Sequence, residues 1–211
     1  MKLTKFEHSC LVLEKAGATL VIDPGSFTTP LIDVNGVVAI VITHEHADHW
    51  TAEHLERLLE RNPKARILGP AGVAEAASGF AVETVKDGDV IQVDPFTLRF
   101  FGSKHAVIHS SIPVVDNVGV LVDDALYYAG DSYTVPPVAV ETLAVPIGAP
   151  WLKIGDAMDY VLEIKPRRAF PVHDSVLSQI GKGMTRARID IVTKQGGGEF
   201  FVLETGESLD L

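Results

Sequence analysis

Val37-Val38-Ala39-Ile40-Val41-Ile42-Thr43-His44-Glu45-His46-Ala47-Asp48-His49 is the stretch that decides how this chain folds. Its first seven residues are apolar or β-branched, which predicts a buried strand. Its last six place three histidines and Asp48 where that strand opens into a loop. Imidazole nitrogen and carboxylate oxygen are the ligands that zinc and its first-row neighbours prefer. We therefore predict a metal site here, rather than a polar loop that is rich in histidine by chance.

Three later segments each supply another potential ligand shortly after a predicted strand. These ligands are His105, Asp131 and His173. Strand ends are rigid supports, and a metal site needs its ligands held to within a fraction of an ångström. Any one of these residues alone would be ordinary. Their joint occurrence with the histidine cluster indicates one shared centre.

Composition limits the possible functions. The 211 residues fit a single domain, 1–211, and the apolar and charged fractions of 46% and 22% are those of an ordinary globular protein. A net charge of -10 argues against a nucleic-acid partner, whereas a small-molecule substrate is expected. Cys10 is the only cysteine, which excludes an intramolecular disulfide and a thiolate zinc cluster, so we expect it to pack in the core. No segment resembles a signal peptide or membrane span, so we expect a cytoplasmic protein without membrane partners; a homo-oligomer is possible.

Periodicity and turn residues predict a mixed α/β chain in which two sheets pack together with helices outside. We predict helices at 51–61, 70–79, 154–164 and 185–192. Strands are predicted at 3–6, 10–13, 19–22, 37–43, 65–68, 82–85, 90–93, 97–101, 118–122, 126–129, 143–146, 168–172 and 200–203. Thr51 is the expected N-cap of the first helix. His54, near the start of that helix, is expected to be a solvated surface residue.

At this point the chain resembles the metallo-β-lactamase superfamily, in particular its small bacterial branch of metal-dependent hydrolases similar to the ascorbate-lactonase-like proteins. The matching pattern runs in order over nearly the whole chain. It comprises His8-Ser9-Cys10, Asp23-Pro24, the histidine cluster, a downstream histidine, Gly130-Asp131-Ser132 and Pro171-Val172-His173. The resemblance implies a four-layer αββα sandwich with metals at one edge of the two sheets.

The resemblance also implies a ligand set for two divalent ions. His44, His46 and a later histidine would hold one ion, Asp48, His49 and His173 the second, and Asp131 would bridge both. Two cations roughly 3.5–4 Å apart can share one water and lower its pKa to leave hydroxide. The His and Asp set favours zinc, with manganese, iron or nickel as alternatives.

Two histidines compete for the position of the later ligand. His105 is favoured, because it follows its predicted strand most closely. His109 would then serve as a proton donor or face the substrate, or simply be a hydrogen-bonded loop residue. His8 and Asp23 are expected to orient ligand imidazoles, with direct coordination left open for His8 and a turn role for Asp23.

The leading hypothesis is a metal-dependent hydrolase of a small-molecule ester, lactone, amide or phosphoester. A metal-bridging hydroxide would attack, with Asp48, Asp131 and His109 as catalytic candidates. Trp50, Tyr133 and Trp151 flank the site segments and could line a pocket or belong to the core. The alternatives are an oxidoreductase similar to the mononuclear-iron sulfur dioxygenases, and a metal-binding protein without activity.

Overall fold

The computed structural model describes residues 1–211 as two seven-stranded sheets and four helices. The helices are α1 (Ala52–Arg61), α2 (Ala71–Ala76), α3 (Ile154–Ile164) and α4 (Gln179–Gln195). The strands of the first sheet are β1 (Lys2–Lys5), β2 (Leu11–Lys15), β3 (Ala18–Ile22), β4 (Val37–Val41), β5 (Arg66–Gly69), β6 (Val82–Thr84) and β14 (Ser208–Asp210). Those of the second are β7 (Val90–Val93), β8 (Phe96–Phe101), β9 (Gly119–Val122), β10 (Leu126–Tyr128), β11 (Thr142–Pro146), β12 (Arg168–Val172) and β13 (Glu199–Phe200).

Three apolar cores separate four layers. Inward-facing residues of both sheets, such as Leu13 and Phe100, form the central core. A second core, which includes Val161 and Ile189, lies between the second sheet and helices α3 and α4. A third, which includes Cys10 and Leu55, lies between the first sheet and helices α1 and α2. The predicted αββα sandwich is therefore confirmed.

Strand direction determines where the predicted ligands meet. The strand order of the second sheet is β13-β12-β11-β10-β9-β8-β7. Strand β9 pairs antiparallel with both β8 and β10, and β11 pairs parallel with β10 and β12. Strands β8, β10 and β12 therefore run in the same direction and end at the same edge. The backbone N–H of Val118 donates to the Thr43 carbonyl at 3.0 Å, which joins this edge to the end of β4 in the first sheet.

Most predicted elements match the structure, and the differences lie at the C-terminus. Helix α4 begins at Gln179 rather than at 185, because the Ser178 hydroxyl accepts the backbone N–H of Gly181 at 3.1 Å and caps the first turn. The last predicted strand shrinks to β13. The chain then returns as β14 to pair with β1, a short edge strand that the sequence pattern did not indicate. None of the four helices has the length and apolar character needed to cross a membrane.

A buried ion cluster ties β1 to the second sheet. Lys5 and Asp174 are both about 1% exposed, and the Lys5 ammonium lies 3.4 Å from the Asp174 carboxylate. Lys182 and Arg186 of α4 approach the same carboxylate at 3.1 Å each. Burial alone would raise the pKa of Asp174, but the Lys5 and Lys182 ammonium groups lower it below its usual range. The Asp174 carboxylate is therefore charged at neutral pH, whereas burial lowers the pKa of the Lys5 ammonium group and Asp174 counteracts that shift.

Candidate metal centre

The structure brings all seven predicted ligands to one edge of the sandwich. Their nitrogen and oxygen atoms form three groups, each with its atoms within 4.8 Å of one another. The groups are His44, His46 and His105; His44, His49 and Asp131; and Asp48, His49 and His173 together with His8.

Asp131 lies between the groups. One carboxylate oxygen, Oδ1, is 3.3 Å from Nε2 of His49. The other, Oδ2, is 3.0 Å from Nε2 of His173 and 3.4 Å from Nε2 of His105. The indole N–H of Trp151 donates to Oδ2 at 2.7 Å and fixes the carboxylate plane. This carboxylate is therefore in contact with ligands of both predicted metals.

The turn that carries Asp131 depends on two neighbours. Gly130 has φ +65°, and a Cβ there would lie 2.4 Å from Oδ1 of Asn117 and 2.8 Å from Cβ of Thr43, so only glycine fits. The fully buried Asn117 side chain donates to the Ala129 carbonyl at 2.8 Å and accepts the backbone N–H of Asp131 at 3.0 Å. Sequence reasoning missed Asn117. The only available signal was an asparagine directly before a predicted buried strand.

Three of the predicted ligand imidazoles have their Nδ1 directed at a carboxylate or carbonyl oxygen. Nδ1 of His49 lies 2.7 Å from Oδ2 of Asp23, and Nδ1 of His173 and His105 lie 2.6 and 2.5 Å from backbone carbonyls. Because carbonyl and carboxylate oxygens only accept, each Nδ1 carries the proton. Each Nε2 lone pair is then left facing the centre, which is the arrangement that second-sphere oxygen partners impose on metal-binding histidines.

Asp23 connects the strand end to the cluster, as predicted for an orienting residue. Its carboxylate also accepts the backbone N–H of Thr43 at 2.8 Å and the Thr43 hydroxyl at 2.7 Å. The same hydroxyl lies 3.1 Å from Nδ1 of His44. Asp23 has φ +48°, an unusual backbone conformation that these buried hydrogen bonds hold in place.

Buried atoms without partners show that a metal ion fits this site. Nε2 of His49, His105 and His173 and Oδ1 of Asp131 are all buried without a hydrogen-bond partner. An unpaired buried polar atom is costly, and these four, which all lie around the Asp131 carboxylate, call for bound partners. Neutral imidazole nitrogens and a carboxylate oxygen are suitable donors for zinc and related divalent ions.

The electrostatics of the centre point the same way. Burial, followed by the neighbouring His49, holds the pKa of His44 well below its usual range, so His44 is neutral at pH 7. Burial would also lower the pKa of His49, but the carboxylates of Asp131 and Asp23 raise it well above its usual range. Burial would raise the pKa of Asp131, but His49 and His173 hold it well below its usual range. In the metal-free protein a proton on Nε2 of His49 would therefore compensate the carboxylates, and a bound cation would supply that charge in its place and leave the Nε2 lone pair free.

His8 differs from the other imidazoles. Its Nδ1 faces a donor, the backbone N–H of Ser175 at 3.4 Å, so the proton lies on Nε2. Nε2 lies 3.1 Å from Oδ2 of Asp48 and donates to it. The His8 carbonyl accepts the backbone N–H of His173 at 2.8 Å. Both histidines have positive φ, 61° and 56°, at this contact between the two sheets. His8 thus contacts two predicted ligands, one through its ring and one through its backbone.

Two other histidines lie outside the ligand groups. His109 is exposed, with Nδ1 2.8 Å from the Ser111 hydroxyl, and its predicted catalytic role stays a prediction. The prediction that His54 is solvated is wrong. Its side chain is 6% exposed, and Nε2 donates to the Thr28 carbonyl at 3.1 Å. The loop that carries Thr28 covers the start of α1, an arrangement that no local pattern reveals.

Comparisons with known proteins identify the family of this chain. A sequence family described as the beta-lactamase superfamily domain matches residues 2–173. The chain is 38% identical over 198 residues to protein Rv0786c of Mycobacterium tuberculosis, covering 92% of this chain and 93% of the relative. It is 33% identical over 150 residues to a UPF0173 metal-dependent hydrolase of Aeropyrum pernix, covering 62% of this chain and 61% of the relative.

A solved structure shares the fold. Igni18, a metallo hydrolase of Ignicoccus hospitalis, superposes with a TM-score of 0.73 at 20% identity, covering 100% of this chain and 98% of that one. This chain is a metal-dependent hydrolase that belongs to the metallo-β-lactamase superfamily, in its branch of small hydrolases.

Proposed function

We propose that this protein hydrolyses a small-molecule ester, lactone, amide or phosphoester with two divalent metal ions, zinc being the favoured metal. The observation that carries the proposal is the convergence of four buried, unpartnered atoms, Nε2 of His49, His105 and His173 and Oδ1 of Asp131. One ion alone would leave part of this set unused, because the donors divide into a group around His105 and a group around His173.

Each site takes two ligands from the loop after β4 and a third from the second sheet, either after β8 or after β12. His44, His46 and His105 would hold one ion, and Asp48, His49 and His173 the other. Asp131 would be shared, since its Oδ2 lies 3.4 Å from Nε2 of His105 in one group and 3.0 Å from Nε2 of His173 in the other. The Nδ1 atoms of His49, His105 and His173 already have oxygen partners, so these three rings need little reorganisation on binding.

The bound ions would supply a water of lowered pKa as nucleophile and polarise the oxygen of the scissile group. The protein's own contribution is position. Asp131, held by the Trp151 indole, keeps the two groups of ligands at a fixed separation. Burial would raise the pKa of Asp48, but the His8 hydrogen bond and the neighbouring His49 and His173 hold it well below its usual range. Its side chain is 27% exposed, the most open carboxylate of the centre, so as a carboxylate it can accept a hydrogen bond from the attacking water and orient it.

A metal and activity analysis tests this proposal. Protein purified without chelator is loaded with zinc, manganese, iron or nickel, and its metal content is measured beside hydrolysis of p-nitrophenyl esters, a lactone, an anilide and phosphoesters. We expect two equivalents of metal and hydrolysis in at least one class. Asp131→Asn should lower the metal content and abolish hydrolysis, whereas Asp190→Asn on the outer helix α4 should leave both unchanged. Unchanged metal content in Asp131→Asn, or no hydrolysis by fully loaded protein, would overturn the proposal.

A further inference from the structure

Exposed apolar side chains lie on loops that carry or contact the metal centre. Phe27, Val107, Val135 and Val176 are 47%, 63%, 37% and 51% exposed, and we call them the apolar rim. They belong to four different loops. Three of them follow a predicted ligand closely in the chain: Val107 comes after His105, Val135 after Asp131 and Val176 after His173. Large apolar residues at an open site are candidates for contact with a ligand.

Contacts place these loops beside the centre. The Phe27 ring packs edge-on against the His8 ring, with 4.9 Å between centroids. The backbone N–H of Ala106, next to Val107, donates to the Asp131 carbonyl at 2.8 Å. Ser175, next to Val176, donates its N–H to His8. The rim therefore borders the ligands rather than a remote surface.

Aromatic side chains add a wall beside the His105 and His173 rings. The Trp151 ring lies 5.8 Å from the His105 ring and 5.3 Å from the Tyr133 ring, measured between centroids. Both aromatic residues are half-buried, so part of each ring is open to solvent. Their indole and phenol rings offer flat apolar surface next to Asp131.

The same loops offer no free positive charge. The six loops at this edge are 23–36, 42–51, 102–117, 129–141, 147–153 and 173–178, and their only lysine or arginine residues are Lys104 and Lys153. The Lys104 ammonium lies 2.7 Å from the Asp116 carboxylate, and Lys153 lies 3.5 Å from Asp156. Lys182, at the start of α4, faces Asp174. An anionic tail on a substrate would therefore find no unpaired cation on this rim. The net charge of -10 of the chain would also repel it.

We propose that the substrate presents an uncharged, apolar acyl or aryl group, which lies on the apolar rim between Phe27 and the Trp151 wall while the scissile bond is at the metal centre. This inference rests on the hydrolytic function proposed above and specifies its substrate class. Phosphate monoesters and substrates with carboxylate tails are disfavoured.

The test compares matched p-nitrophenyl esters on zinc-loaded protein. In the acyl series from acetate to octanoate, kcat/KM should rise by up to about fourfold for each added methylene that reaches the rim. Butyrate and hemisuccinate esters have equal chain lengths and differ in a terminal carboxylate, so butyrate should be preferred by about tenfold or more, as expected when one charge is left without a partner. Phe27→Ser should flatten the rise with chain length. Ile191→Ser, at a similar 52% exposure on the outer face of α4, should leave the rise unchanged.

The outcomes separate this inference from the proposed function. A flat acyl series, a preference for hemisuccinate, or hydrolysis of phosphate monoesters alone would overturn the apolar substrate while the hydrolase assignment stands. Absence of hydrolysis in every class would overturn the hydrolase assignment itself. The rim could instead bind a second copy of the chain. Conversion of a dimer to a monomer by Phe27→Ser, seen in size-exclusion chromatography with light scattering, would overturn its assignment to substrate.

Discussion

His8 offers the sharpest test of how the centre is built. Its ring lies close enough to Asp48, His49 and His173 to share a metal ion with them, yet its proton is on Nε2. A protonated Nε2 cannot coordinate a metal, but it can donate to Asp48. We therefore predict that His8 orients Asp48 and is not itself a ligand. The variants that separate the two roles are His8→Ala and His8→Gln.

Glutamine places its amide N–H close to where the histidine carries Nε2–H, but an amide nitrogen does not bind zinc. His8→Gln should therefore keep both metals. His8→Ala removes a hydrogen bond to a charged acceptor, which is worth about 1.5–3 kcal/mol. That loss corresponds to a roughly 10- to 100-fold weaker affinity for the second metal, the usual effect of removing a partner of a metal ligand. In both variants the backbone bond from His173 to the carbonyl of residue 8 remains.

Isothermal titration of zinc into metal-free protein measures the affinity of each site separately. Melting temperatures of the metal-free variants serve as the control for folding, since His8→Ala removes more packing than His8→Gln at this fully buried position. If His8→Gln loses the second metal as completely as His8→Ala, then His8 is a ligand and the tautomer argument fails. If neither variant changes the affinity, the contact with Asp48 has no role in binding.

Three further predictions concern the metal, the loop histidines and the buried ion cluster. Chelation should lower the melting temperature of metal-loaded protein, because separate strand ends are tied together only in the folded state; a thermal-shift curve that does not move would contradict a bound metal. By elemental analysis, His105→Ala should lose metal together with activity, whereas His109→Ala should keep metal and lose roughly 10²–10⁴-fold in turnover, as for a positioned general acid or base; the reverse pattern would exchange their roles. Asp174→Asn should cost about 3–5 kcal/mol in urea unfolding at pH 7, because it leaves Lys5 buried and unpaired. Asp190 forms a surface i,i+4 ion pair with Lys194, so Asp190→Asn should lower the free energy of unfolding by no more than about 0.5 kcal/mol. Equal losses of stability in the two variants would refute the argument. The pKa of Asp174 is lowered in the folded protein. Its contribution to the free energy of unfolding of the wild-type protein should therefore be complete at neutral pH and disappear as the pH falls through that lowered pKa.

The sequence alone was sufficient to predict the layers of the fold. Helix α3 and strand β12 begin and end where periodicity and proline placed them, at 154–164 and 168–172. These elements follow from the alternation of apolar residues and from turn residues, which are local properties. The short edge strand β14 escaped detection, because three residues with one apolar side chain show no period.

The sequence also determined which residue types could bind metal, since imidazoles and carboxylates at strand ends are visible without coordinates. The choice among them depended on tertiary contacts. His105 lies in the cluster and His109 does not, although both belong to one loop. Asn117 holds Asp131, and Ser175 sets the proton of His8 across 167 positions of the chain. Local patterns show which residues of a strand share a face, because side chains alternate along it. Which distant groups meet is decided by how the two sheets pack.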